Sequence, residues 1–178
     1  MIIFTSDNGP WHQGNPGYAR GRKGLTFEGG QRVPFVASWP GKIPSGIETD
    51  IPMMNIDLFP TILNIVGIPL PNDRIIDGLD ITNILTDHRE KEAIRPLFYF
   101  WNKKLQAIRQ GKWKYHVKHR SDNSAYFIMN VGPFLFDLRK DPNESYNLIP
   151  HFPEKGIELN EEIKKMRREL KNNLRGWL

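Results

Sequence analysis

Met1-Ile2-Ile3-Phe4-Thr5-Ser6-Asp7-Asn8-Gly9-Pro10 opens the chain, an apolar, β-rich run that breaks at Asp-Asn-Gly. A strand over Met1 to Phe4 that ends there delivers a carboxylate and an amide oxygen to the C-terminal edge of a sheet. Open α/β sheets build their sites at that edge. Two adjacent hard oxygen donors, Asp7 and Asn8, suit Ca²⁺ (Mg²⁺ is the alternative) better than a soft metal. The same residues are also ordinary turn chemistry, because Asp and Asn bond their own backbone and Gly accepts positive φ. Met1 to Phe4 is apolar on both faces, the habit of a buried parallel strand. Left uncovered it would be an aggregation-prone edge, so the residues predict self-association through it.

The next segment, Arg20-Gly21-Arg22-Lys23-Gly24-Leu25-Thr26-Phe27-Glu28-Gly29-Gly30-Gln31-Arg32-Val33-Pro34, sets four cations among glycines that permit close backbone approach. Lys is a compact point charge suited to a tetrahedral oxyanion, and Arg can fork onto two of its oxygens. Hard-metal donors followed by a Gly-flanked Lys23 read as a site for a sulfate or phosphate ester. A solvated basic loop is the plainer reading.

Working outward, Arg32 to Trp39 alternates as a strand closed by Pro40-Gly41. Asn55 to Val66 has helical apolar spacing with Gly67 as its stop, and a shorter helix is expected over Asp80 to Leu85 with Asp80 as N-cap. After Arg95-Pro96 the pattern turns to short strands: Leu97 to Trp101, Leu105 to Arg109, Lys112 to Lys118, Ala125 to Met129 and Phe134 to Asp137. Gln110-Gly111 is a hairpin signal between the second and third of these. A final helix over Glu158 to Leu174 lines up Leu159, Ile163, Met166, Leu170 and Leu174 as a packing stripe.

The chain has 178 residues, 39% of them hydrophobic, enough for a respectable core. It has no Cys, a net charge of +5 and a pI near 9.5. Residues 103 to 120 hold Lys103, Lys104, Arg109, Lys112, Lys114, Lys118 and Arg120 with no acid among them. One face of a hairpin in solvent accounts for this run first, attraction of anionic substrates second, and nucleic acid last, so no nucleic-acid partner is expected. No stretch reads as a membrane span.

Taken in order, TSDNGP and RKGLTFEGGQRVPFVASWPGKI resemble the second half of the sulfatases, especially the arylsulfatase A-like members of the alkaline phosphatase superfamily. Ile56-Asp57-Leu58-Phe59-Pro60-Thr61-Ile62-Leu63 resembles that family's helix after the site, and Ile76-Asp77-Gly78-Leu79-Asp80-Ile81 its DGxD segment. Ile108 to Lys114 and Leu135 to Glu144 resemble its C-terminal subdomain. The resemblance implies an α/β fold. Residues 1–94 would be the C-terminal part of an alkaline-phosphatase-like mixed sheet sandwiched by helices. Residues 95–178 would be a small antiparallel sheet packed with a C-terminal helix.

The resemblance also implies roles. Asp7 and Asn8 would be two of four calcium ligands, Lys23 would contact the substrate sulfate, and His116 would lie near the pocket mouth as a substrate contact. Glu28 and Arg32 belong to a structural signature and receive no chemistry. The family's nucleophile is a formylglycine made from Cys or Ser in C/S-x-P-x-R. The nearest lookalike here, Ser38-Trp39-Pro40-Gly41-Lys42, ends in Lys and matches an ordinary strand-to-loop segment. The formylglycine and the remaining ligands are therefore expected upstream, and the isolated chain is expected to be inactive. The intact enzyme would take small aryl sulfates or sulfated glycans and lipids, and would be secreted, periplasmic or lysosomal. A degenerate module that binds anionic polymers and a phosphoester hydrolase of the same superfamily are the alternatives.

Overall fold

The computed structural model describes residues 1–87, 95–117 and 132–174. It divides into two units: Met1–Asp7, Val33–Ala93 and Asn173–Leu178 form one, and Asn8–Arg32 with Ile94–Asn172 form the other. A single boundary between residues 94 and 95 would put residues 8–32 with the first unit, but their contacts group them with the second.

In the first unit β1 (Ile2–Thr5) pairs antiparallel with β2 (Phe35–Ser38), with Ile2 opposite Ser38 and Thr5 opposite Phe35. The parallel pairing expected from two apolar faces is not what forms. An apolar double face reports cover on both sides, not strand direction, and here one face lacks cover: Ile2 is 73% and Phe4 65% exposed. A 3-10 turn (Asn55–Asp57) leads into α2 (Leu58–Ile65), which carries Pro60 in its first turn, where the missing N–H costs nothing. Asp57 is fully buried and works as a tie. Its carboxylate accepts from the Met54 N–H at 2.7 Å and the Leu79 N–H at 2.9 Å. Thr61 Oγ1 donates to the Asp57 carbonyl and accepts from the Ile81 N–H at 3.0 Å. These bonds draw the Gly78-Leu79-Asp80 segment onto α2, and Gly78 approaches so closely that a Cβ would lie 2.2 Å from the Ile56 carbonyl oxygen. The short α3 (Thr82–Thr86) follows, starting later than expected: the N-cap position is Ile81, one residue after the expected Asp80, whose Oδ1 still accepts the Thr82 N–H.

The second unit is a three-layer assembly. A short helix, α1 (Glu28–Gln31), precedes in sequence an antiparallel sheet in the order β3 (Leu97–Trp101), β4 (Lys104–Gln110), β5 (Trp113–His116) and β6 (Phe134–Asp137). Between β3 and β4 the register slips, so that Tyr99 faces Ala107 and Phe100 faces Leu105. The bulge at Gln106 turns Leu105 and Ile108 to the same side. Gln110 pairs with Trp113, so the hairpin turn is Gly111-Lys112, one residue later than expected, with Gly111 at φ 56° as such a turn requires. On one side, Leu105, Ile108, Tyr115 and Leu135 pack against Leu159, Ile163 and Met166 of α4 (Pro153–Lys171). That helix starts five residues before the expected Glu158, because Pro153 suits a first helical position. Leu174 lies past its end and is 58% exposed, so the stripe stops at Leu170. On the other side, Phe27 packs with Phe136 and Leu138. The strand expected over Ala125 to Met129 lies outside the described residues.

Candidate functional site

Two loops meet through glycines. The Gly9 N–H donates to the Gly30 carbonyl at 3.0 Å, and the Lys23 N–H donates to the Pro10 carbonyl at 3.0 Å. The approach leaves no room for side chains: a Cβ on Gly9 would lie 2.1 Å from the Gly29 carbonyl oxygen, and one on Gly30 would lie 2.2 Å from that of Leu25. Asn8 and Lys23 are thus carried on one hydrogen-bonded pair of loops.

Of the four cations expected to face one anion, three have structural acceptors. Arg22 Nη1 donates to the carbonyls of Trp11 and Gly14, Arg32 Nη1 to the Tyr18 hydroxyl at 3.2 Å, and Arg20 Nη1 to the Glu144 carbonyl at 2.8 Å. Lys23 has an exposed side chain. Asp7 is exposed and Asn8 half-buried.

Beneath these loops lies a buried charge cluster that sequence reasoning missed. Lys114 Nζ, with none of its side chain exposed, sits 2.8 Å from Glu28 Oε1, 3.1 Å from Glu144 Oε1 and 4.3 Å from the centre of the Tyr99 ring. Arg109 Nη1 is 3.6 Å from Glu28 Oε2. Glu144 Oε2 accepts the Glu28 N–H at 2.6 Å. Tyr99 donates its hydroxyl to Glu28 at 3.3 Å, and burial together with the Glu28 carboxylate holds that phenol well above its usual range, so it stays protonated. Burial also raises the Glu144 carboxyl, against the pull of Lys114.

His116 belongs to this cluster. It is fully buried, its Nε2 is 3.0 Å from Glu144 Oε1, and its ring stacks on Phe27 at 4.5 Å. The resemblance implies a pocket mouth; the structure places this imidazole in the core of its unit.

The basic run of residues 103–120 is likewise not one solvated face. Lys114 and His116, two apart on β5, point to the side that carries Phe27 and Glu28, while Trp113 and Tyr115 point to α4. Lys112 pairs with Asp137 at 2.9 Å. Lys118 and Arg120 lie outside the described residues. One signal for the cluster was available: an acid-free run of cations on strands must find its counter-charges elsewhere if the strands are covered on both faces.

Among the described residues no group of three or more His, Cys, Asp or Glu is gathered as a metal-binding set. Asp7 and Asn8 are of the right type for a hard cation, and they are two donors where Ca²⁺ takes about six to eight. They suit part of a shell. No helix of the described residues is long and apolar enough to cross a membrane.

The fold matches solved sulfatases. The PsFucS1 sulfatase from Pseudoalteromonas superimposes with a TM-score of 0.81 and 29% identity over 96% of this chain and 37% of that one. Such proteins have an alkaline-phosphatase-like fold, and the mixed α/β architecture here is its C-terminal portion. The chain belongs to the family described as N-sulphoglucosamine sulphohydrolase, C-terminal, which matches residues 18–174. Rat steryl-sulfatase is 34% identical over 84% of this chain and 32% of its own length. Human arylsulfatase A is 35% identical over 84% of this chain and 33% of its own length. The chain therefore spans about a third of the length of the curated relatives it matches.

Proposed function

We propose that this chain is the C-terminal part of a sulfuric ester hydrolase, in which Lys23 contacts the substrate sulfate and Asp7 and Asn8 supply two oxygen ligands to Ca²⁺, with Mg²⁺ as the alternative. One observation carries the reading: Lys23 presents an exposed ammonium from a loop whose backbone is bonded to the segment bearing Asn8, while its neighbouring arginines are engaged with protein acceptors. A compact cation held there neutralises charge on sulfate oxygens as the ester bond breaks, and it does so without reorganising at the moment of reaction. A divalent cation, when bound, polarises the sulfate. The formylglycine nucleophile would have to come from outside these residues, which contain no Cys and no Ser-x-Pro-x-Arg.

Under this reading the substrate is a sulfate ester of an aryl, steroid or sugar hydroxyl, as the names of steryl-sulfatase, arylsulfatase A and a further relative, dog N-acetylgalactosamine-6-sulfatase, suggest. In the complete enzyme, Lys23→Ala lowers kcat/KM on the order of a hundredfold. An unchanged kcat/KM on a panel of sulfate esters would remove Lys23 from the site. A preference for phosphate esters in the same panel would overturn the sulfatase assignment. Asp7→Asn weakens Ca²⁺ binding in a titration without substrate. The 178 residues alone turn over no sulfate ester, and measurable turnover by the purified chain refutes that.

A further inference from the structure

We infer that Glu144 is a positioning residue: its buried carboxylate and its carbonyl together clamp the loop pair that carries Asn8 and Lys23. This rests on the sulfate-site reading for its functional meaning, though not for its geometry.

The chain of contacts runs without a gap. The Glu144 carboxylate accepts the backbone N–H of Glu28 at 2.6 Å, and its other oxygen is fixed by Lys114 at 3.1 Å and His116 at 3.0 Å. The Glu144 carbonyl takes Arg20 Nη1 at 2.8 Å, and that guanidinium lies 4.3 Å above the Phe27 ring. The Arg20 carbonyl in turn accepts the Gly29 N–H at 2.7 Å. Glu144 therefore grips the Arg20-to-Gly29 loop at both ends. From Gly30 the path continues to Gly9, and from Pro10 to Lys23, through the two 3.0 Å backbone bonds.

The backbone of Glu144 is itself unusual. It is a non-glycine residue at φ 53°, a left-handed conformation that costs energy and persists where surroundings over-determine it. A turn holds it there: Asp141 Oδ2 accepts the N–H groups of Ser145 and Tyr146, each at 2.8 Å. A carboxylate needed only to neutralise Lys114 would not require its second oxygen and its carbonyl to be committed to one loop. A positioning role does.

The test uses hydrogen exchange on the 178-residue chain and kinetics on the complete enzyme. Glu144→Gln is the direct variant. Arg20→Ala is the second, since Arg20 is exposed and its loss spares the buried charges. In each, the amides of Gly9, Lys23, Glu28 and Gly29 exchange about tenfold faster, the change expected for losing one net hydrogen bond, while those of Ala107 and Ile108 in the sheet stay within about twofold. Equal acceleration of loop and sheet amides, or no acceleration at the loop in Arg20→Ala, overturns the clamp. In the complete enzyme both variants lower kcat more than they change KM, and in a Lys23→Ala background they cost no further rate. Full additivity with Lys23→Ala overturns the positioning role. If Lys23→Ala alone is silent, the sulfate reading falls while the exchange experiment still judges the clamp.

Discussion

Replacing Lys114 by methionine tests the buried cluster most directly. Lys114→Met keeps the length of the side chain and removes the cation that faces two buried carboxylates at 2.8 and 3.1 Å. Breaking a buried ion pair from one side costs about 3–5 kcal/mol, because a charge is left uncompensated. Partial compensation remains here. Glu28 retains Arg109 at 3.6 Å and the Tyr99 hydroxyl, and Glu144 retains the Glu28 N–H and His116. The low end of the range, about 3 kcal/mol, is therefore expected. In a unit of roughly a hundred residues each kcal/mol moves Tm by about 4–8 °C, so the variant melts roughly 12–24 °C lower. Urea and thermal melts of the chain at pH 7 and at lower pH are the assay. Burial already raises the Glu144 carboxyl against the pull of Lys114, and without that cation it rises further. The folded state then binds the extra proton, and the deficit narrows as pH falls. A loss below about 1 kcal/mol at pH 7, or a deficit that does not change with pH, refutes the reasoning.

Four further outcomes are expected. Gly9→Ala places a Cβ 2.1 Å from the Gly29 carbonyl oxygen and lowers stability by about 1–3 kcal/mol in urea melts, since backbone must shift to admit it. Ile163→Ala, at a fully buried position on α4, costs about 2–5 kcal/mol by the same measurement. Asp137 is partly raised by burial but held below its ordinary value of 3.8 by hydrogen bonds from Lys112 and the Arg139 N–H. Its stabilising effect is present above that value and is lost as pH falls through the lower folded one, so the acid limb of a pH–stability curve flattens in Asp137→Asn. The exposed Ile2 and Phe4 predict concentration-dependent association in sedimentation runs, which Phe4→Lys reduces; a monomer at every concentration counts against it.

The parts of this molecule legible in its sequence are those whose chemistry is local. The Asp-Asn-Gly break and the Gly-flanked Lys23 declare themselves within a few residues, as do the hairpin near Gly111 and the register of α4 through Leu159, Ile163 and Met166. The buried cluster could not be read that way. Lys114 lies 86 residues from Glu28, and a lysine alternating with Trp113 and Tyr115 on a strand reads as a solvent-facing position unless one knows that a second layer covers it. Resemblance alone points His116 toward the pocket, and nothing local to Phe27 marks it as the ring on which that imidazole stacks. For β1, two apolar faces say that both need cover, but they do not say whether the neighbouring strand runs with it or against it.

The bond from Glu28 to Glu144 spans 116 positions. On a ribosome adding about 5–20 residues per second, Glu28 waits roughly 6–23 s before its partner is even synthesised. Through that interval the loop with Asn8 and Lys23 has its glycines but not its clamp. Late arrival of the holding residue makes the loop pair one of the last features of the nascent chain to take shape, and a stretch on which chaperones and proteases can act before it closes.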